Sequence, residues 1–364
     1  MRTKEGFAGR AGHDSIGIEA APSRAFGRIG MRSVLTRAAW AALALFAGIT
    51  TASAEGEIRI TRQPSIIYMP THIMEANKLI EKHASAMGVK DPKVSWLTFT
   101  GGGAATDALL SSNVDVVNTG VGNMLLLWDR TRGGVKGVVA TSALPLVLVT
   151  RKPEIRTLKD YGPNDKIAVP TVRVSTQAIL LQMAAEKEFG EGQWAKLDPN
   201  TVQLGHPDAM AALSNPQHEV TSHFSAPPFV FQTLKSVPGA HVVTDSAKIL
   251  GTPLTVALMF TTTKYADANP KMIAALRAAS DEALRMIRTD TRKAVEIYKE
   301  SSKDRLSVDE LMEMLKQPGM MAFEPAPQGS MKFAENLHKI GTIKMKPTSW
   351  KDFFIPSSHD LDGN

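Results

Sequence analysis

Short apolar runs of five to eight residues alternate with helix-patterned segments along nearly the whole chain after residue 54, and this alternation constrains the fold more than any other feature. "EIRITRQ" carries the two-residue period of a strand. "PTHIMEANKLIEKHASAMG" carries the three-to-four-residue period of a helix, closed by Gly88. "KVSWLTFT" is a strand, and "AATDALLSSN" is a helix with Ala105, Leu109 and Leu110 on one face. The strand "VDVVNTG", the helix "NMLLLWDR" and the strand "VKGVVATS" continue the series. Repeated strand–helix–strand units imply an open, largely parallel sheet with helices on both faces, an α/β fold.

The rhythm changes at "LPLVLVTRK", an apolar strand that directly follows another strand. A second α/β series then runs through "KIAVP", "STQAILLQMAAEKEFG", "TVQLGHP", "DAMAALSN", "EVTSHFS", "PPFVFQTLK" and "AHVVTDS". "TPLTVALMFTTTKYA" reads as another long strand, and mostly helices follow. Within them Thr289-Asp290-Thr291 offers a break and a fresh N-cap. Two long strands bracketing a self-contained block predict an inserted lobe. Lobe 1 comprises 55–147 and 257–364, and lobe 2 comprises 148–256. Two crossings between them suit closure on a ligand held in the cleft.

Residues 1–54 stand apart. Arg32 and Arg37, an apolar run over 38–49 and Ala52-Ser53-Ala54 follow the order of a secretory signal, with cleavage expected after Ala54. The apolar run is far shorter than the roughly 20 residues of a membrane span; a buried N-terminal helix is the rival reading. Met31 rather than Met1 is an alternative start. The formal charge of +6 falls to +2 once the seven basic and three acidic residues of 1–54 are removed, which gives nucleic-acid binding no support. There is no cysteine, hence no attachment residue for a lipid after the signal. A freely soluble, monomeric protein of the periplasm is expected.

The chemistry-bearing segments cluster at strand-to-helix turns. "TFTGGGAATDALL" places Gly101, Gly102 and Gly103 between a strand and a helix. No Lys follows for a Walker loop, and Thr106 stands where a dinucleotide fingerprint needs glycine. Glycines there let backbone N–H groups and a helix N-terminus approach a partner with no Cβ in the way; a plain turn is the alternative. The geometry recurs at "NTGVGN" (Gly120, Gly122), at "VPTVRVSTQ", where Ser175 or Thr176 is placed to cap a helix, and at "QPSIIYMP". Ligands of open α/β sheets sit beyond the carboxyl ends of the strands, so four such loops drawn from both lobes predict a shared cleft.

The candidate ligand contacts are Ser65, Tyr68, Gly102, Gly103, Ala104, Gly122, Asn123, Arg173, Ser175, Thr176, His223 and Ser225. Arg173 is the one cation in these loops and can pair with an anion, or stand solvated. His223 faces the cleft or is buried structurally. His206-Pro207-Asp208 reads as a loop with an Asp N-cap rather than a metal site. No nucleophile elbow, HExxH pair or cysteine nucleophile is present, so neither enzyme activity, cofactor nor metal is expected.

Three segments in this order, "GGGAATDALLSSNVDVVNTGVGNMLLL", "EIRTLKDYGPNDKIAVP" and "LGHPDAMAALSNPQHEV", resemble the nitrate/sulfonate/taurine-type solute-binding proteins of ABC importers, relatives of thiamine-precursor-binding proteins. The resemblance covers about 58–298. It implies a type II periplasmic-binding-protein fold with two hinge crossings, a small-molecule ligand, and permease and ATPase subunits as partners. Three places depart from the family pattern. "DYGPNDK" replaces its "DLKGK", Asn113 stands for a glycine in a left-handed turn, and "VTSHFSAPPF" replaces an Asp-Ala beside the ligand. The expected function is capture of a small anionic organic solute, sulfonate-, taurine- or nitrate-like, by two-lobe closure and its delivery to the permease, and the last departure bears on which of these solutes fits. Tyr68, Phe224 and Phe229 leave room for an aromatic or heterocyclic ligand, or simply pack the core.

Overall fold

The alternating segments assemble into two five-stranded mixed sheets in the computed structural model, which describes residues 55–364. The expected signal segment lies outside the described residues. The first lobe begins with β1 (Glu57–Arg62), α1 (Met69–Ala76), α2 (Leu79–Ala86) and β2 (Lys93–Thr98). It continues with α3 (Gly102–Leu110), β3 (Val116–Thr119), α4 (Val121–Arg130) and β4 (Val135–Ser142). The second lobe begins with β5 (Val147–Thr150), β6 (Lys166–Val169), α5 (Thr176–Phe189) and β7 (Thr201–Gln203). It ends with α6 (His206–Ser214), β8 (Val220–Ser225), α7 (Phe229–Ser236), β9 (His241–Asp245) and α8 (Ser246–Leu250). The chain then returns through β10 (Ala257–Thr262) to α9 (Thr263–Ala268), α10 (Pro270–Thr289), α11 (Thr291–Ser302), α12 (Val308–Leu315) and α13 (Ser330–Lys339).

Both sheets obey one plan. The first runs β2-β1-β3-β10-β4 and the second β7-β6-β8-β5-β9. In each, the first three strands are parallel, and the strand that carries the chain between sheets lies antiparallel between the third and the last. Central strands are covered on both faces, which is why β3 and β10 read as continuous apolar runs. Val116, Val117, Leu258, Met259 and Phe260 are all buried.

Local chemistry sets the ends of the elements. Asp290 separates α10 from α11, its side chain accepting from the Lys293 N–H at 3.0 Å, as the Thr-Asp-Thr segment predicts. The long strand read at "TPLTVALMFTTTKYA" is shorter than expected. The Thr262 hydroxyl accepts from the Tyr265 N–H at 3.1 Å and turns the chain into α9. The left-handed residue after α3 is Ser112 (φ 58), one position before Asn113. The helix after β7 is capped by Gly205, and Asp208 lies in its first turn rather than at the cap. α10 packs along α1 and α2, with Glu282 taking Lys82 and His83 at 2.7 Å each. The edge of β4 is closed by Phe354, whose ring would meet a Cβ at Gly137 at 2.8 Å. Among the described residues no helix is long and apolar enough to cross a membrane.

Candidate functional site

Strands β1, β2 and β3 of the first sheet and β6, β7 and β8 of the second end in loops that meet one another, and the contacts are direct. The Gly103 N–H donates to the Thr171 hydroxyl at 3.2 Å, and the Gly122 N–H donates to the Thr176 hydroxyl at 3.2 Å. The Ser65 hydroxyl donates to the Pro227 carbonyl. A Cβ at Gly205 would lie 2.9 Å from the Thr100 carbonyl, and one at Gly101 would lie 3.2 Å from the Pro170 carbonyl. A Cβ at Gly122 would lie 2.7 Å from Ile179 Cδ1 and 3.0 Å from the Val174 carbonyl. A Cβ at Gly205 would force the Thr100 backbone to shift, and one at Gly101 or Gly122 would have to push its neighbours aside, so glycine suits the places where the lobes touch. Farther out, Gln232 Nε2 donates to Asp304 Oδ1 at 3.0 Å and Lys235 pairs with Glu310.

Between these contacts lies a layer of buried polar side chains. Ser65 caps the turn at Ile67, its Oγ accepting from that N–H at 3.2 Å, and Tyr68 is buried in the same turn. Burial raises the Tyr68 phenol, with the Thr119 hydroxyl opposing the shift. Ser175, one of the two residues placed to cap, is the N-cap of α5 and accepts from the Ala178 N–H at 3.3 Å. Thr176, Asn123, His223 and Ser225 are all buried in this layer. Gly102 opens α3 against Thr119 and the Asn123 carboxamide; a Cβ would stand 2.8 Å from Asn123 Oδ1.

Two predicted residues are not brought in. Ala104 lies on the exposed side of α3. Arg173 adopts a left-handed backbone (φ 60), its side chain is 73% exposed, and its Nε lies 3.4 Å from Asp198 Oδ2. Asp198, itself largely buried and accepting from Gln182 Nε2, is the carboxylate the guanidinium reaches.

Two residues passed over in the sequence join the site. His206, the first residue of α6, places Nδ1 2.8 Å from His223 Nε2, and Gln177 Nε2 lies 3.3 Å from His206 Nε2. The His206 ring stacks on Phe229 with centroids 5.6 Å apart. Burial lowers His206 to about 4 and drives His223 well below the usual imidazole range, with His206 adding to the latter. The available signal was position: both residues follow a strand-to-helix turn on the ligand edge. Several buried atoms have no partner in the structure, among them Asn118 Oδ1, Asn123 Nδ2 and His223 Nδ1. An unmade hydrogen bond of this kind costs about 1–3 kcal/mol, so such atoms mark places where a polar partner belongs.

Beside the layer a cavity of about 480 Å³ opens between the lobes. Pro64 and Tyr298 wall it on one side, and Pro207, Met210 and Phe229 wall it on the other. Lys303 and Arg305 stand at its margin, and neither forms an ion pair among the described residues.

No protein-family model and no curated protein matches the chain. Solved structures do. The alkanesulfonate-binding protein SsuA of Xanthomonas axonopodis pv. citri, bound to MOPS, superposes with a TM-score of 0.63 at 17% identity, over 83% of this chain and 97% of that one. The periplasmic nitrate-binding protein NrtA of Synechocystis PCC 6803 gives 0.60 at 13% identity, over 81% and 83%. A Candida albicans gene product described as exhibiting the generic periplasmic binding protein structural fold gives 0.60 at 12% identity, over 80% and 92%. The chain therefore has the two-lobe periplasmic-binding-protein fold that the resemblance implied, with mixed sheets where the alternation predicted largely parallel ones, because β5 and β10 run antiparallel to both neighbours.

Proposed function

We propose that this chain is the solute-binding component of an ABC importer of the nitrate/sulfonate/taurine type. It captures a small anionic organic molecule outside the inner membrane by closing its lobes, and delivers it to a permease. The observation that carries this reading is the facing pair of loop rows, with donors left over inside the closed interface. Gly103 and Gly122 already give their N–H groups to Thr171 and Thr176, so the nitrogens left over are Asn123 Nδ2, in the first turn of α4, and His223 Nδ1, near the end of β8. Donors at helix N-termini favour an anion. Ser65, Tyr68, Gly102, Gly103, Gly122, Asn123, Ser175, Thr176, His223 and Ser225 form the proposed contact set, and Arg173 and Ala104 are left out of it. These groups bind rather than react, which supports a receptor over an enzyme.

Within this reading an aromatic anion is favoured by one observation: Phe229 and Tyr298 face a cavity whose border carries two cations, Lys303 and Arg305, against one carboxylate, Asp304, which Tyr298 and Gln232 already occupy. A flat ring between aromatic walls with its carboxylate or sulfonate toward the cations fits that lining.

A thermal-shift screen of residues 55–364 against sulfonates, nitrate, aromatic carboxylates and pyrimidines tests the proposal. A ligand at 100 times its Kd adds about 2.7 kcal/mol of stability. Silence across the panel together with turnover of any compound would overturn the receptor reading.

A further inference from the structure

Gln177, His206 and His223 form a chain of hydrogen bonds. As the Gln177 carboxamide stands, its Nε2 faces His206 Nε2 at 3.3 Å and donates, and His206 Nε2 accepts. A neutral imidazole carries a single N–H, so the His206 hydrogen sits on Nδ1 and is donated to His223 Nε2 at 2.8 Å. The His223 hydrogen is then left on Nδ1, which is buried and has no partner. Both rings stay neutral near pH 7 because burial disfavours their charged forms. No Asp, Glu, Lys or Arg side chain is hydrogen-bonded or ion-paired to either ring among the described residues; His206 packs on Phe229 instead.

Gln177 and His206 each lie next to a contact between lobes, and His223 stands near the end of β8. Gln177 follows Thr176, which takes the Gly122 N–H; His206 follows Gly205, which packs on Thr100; His223 precedes Ser225 by two residues at the end of β8. From the facing lobe, Asn123 Nδ2 is a second buried donor without a partner.

We propose that Gln177 and His206 are positioning residues that hold His223 as its Nδ1–H tautomer, and that this N–H donates to an anionic or carbonyl oxygen of the captured solute. The ligand half of this inference rests on the receptor reading above; the tautomer half stands alone. A solute presenting an N–H at that place is excluded by two hydrogens meeting head-on.

Nitrogen NMR of isotope-labelled imidazoles in the folded protein reads the tautomer directly. The expected result is His223 protonated on Nδ1 at neutral pH. Gln177→Glu should invert the chain, because a carboxylate accepts where the amide donates: His206 then carries its hydrogen on Nε2, and His223 Nδ1 becomes bare. A wild-type His223 found protonated on Nε2 overturns the proposal. MOPS and an aromatic carboxylate are the probes for the second half. Their saturation should move the His223 Nδ1 resonance, and Gln177→Glu should weaken them about tenfold or more. Binding that leaves that resonance unmoved overturns the contact and spares the receptor. A protein with the Nδ1–H tautomer that binds no anion overturns the receptor reading and the contact, and leaves the relay standing.

Discussion

The two lobes share one strand order and differ in what they present at the meeting edge. The first lobe presents backbone: Gly101, Gly102, Gly103, Gly120 and Gly122 bring N–H groups forward with no side chains of their own. The second presents side chains: Thr171, Ser175, Thr176, His206 and His223. Each needs the other, since the hydroxyls of Thr171 and Thr176 reach the glycine N–H groups only because no Cβ intervenes. A common topology therefore supplies the placement of loops, and the residue chemistry at the edge divides the labour between a permissive wall and a selective one.

The largest effect that separates the two walls is titration. His206 is held near 4 by burial, and a solvated imidazole titrates near 6.5, so the unfolded chain binds the proton first as pH falls. Its contribution to stability is complete above about pH 6.5 and is lost progressively as pH falls toward 4. Each such ring contributes about 1.4 kcal/mol per pH unit within that window, so His206 alone amounts to about 3 kcal/mol. His72, buried against Tyr298 in the first lobe and also held near 4, acts with the same sign away from the edge. Chemical denaturation between pH 7 and 4 should show a steep loss that His206→Gln makes shallower. An unchanged slope in the variant would place the charge-sensitive group elsewhere.

The next effect strikes the permissive wall. Gly122→Val adds atoms where even a single Cβ would stand 2.7 Å from Ile179 and 3.0 Å from the Val174 carbonyl, both across the interface. Overpacking of this kind costs about 1–3 kcal/mol, and here the cost falls on the closed form alone. Affinity for any solute captured by closure should drop by roughly tenfold to a hundredfold. Solution scattering should report a larger radius of gyration at saturating ligand. Retained affinity with an unchanged radius would mean that the lobes need not meet as they do here.

Much of this division was legible before the fold was known. The strand–helix alternation, the Asp290 break and the placement of a capping residue at Ser175 or Thr176 follow from local periodicity and capping chemistry, which act within a turn or two. What stayed hidden depends on partners distant in sequence. Arg173 has no local reason to turn outward; Asp198, twenty-five residues on, decides it. His206 looked like part of a loop until folding brought its ring to His223 on the next strand of the sheet and Gln177 to its other nitrogen. The glycines suggest room for a solute, and the structure fills much of that room with the hydroxyls and carbonyls of the other lobe.

Ser175→Ala probes the selective wall more gently. Losing an N-cap acceptor costs about 1 kcal/mol of stability, because the Ala178 N–H at the start of α5 is left without its 3.3 Å partner. The facing helices α3 and α4 offer no matching substitution, since Gly101 and Gly120 cap them without a side chain. A urea midpoint that moves by less than a third of that amount would show water replacing the serine and the edge being more open than it stands here.

The smallest expected effect discriminates most sharply between reading the second lobe by composition and reading it by geometry. Arg173 is the cation that the loop sequence nominates for an anionic solute, yet its side chain is largely in solvent and its partner is Asp198. An exposed pair contributes about 0–1 kcal/mol to stability, so Arg173→Ala should barely move the melting temperature. Affinity for an anionic ligand should change less than twofold, whereas Arg305→Ala, at the cavity margin, should weaken an aromatic anion several-fold by isothermal titration. If the order of these two effects were reversed, the guanidinium of residue 173 would have to swing inward on binding and release Asp198. The selective wall would then consist of a charge recruited by the ligand in place of neutral donors already held within the fold.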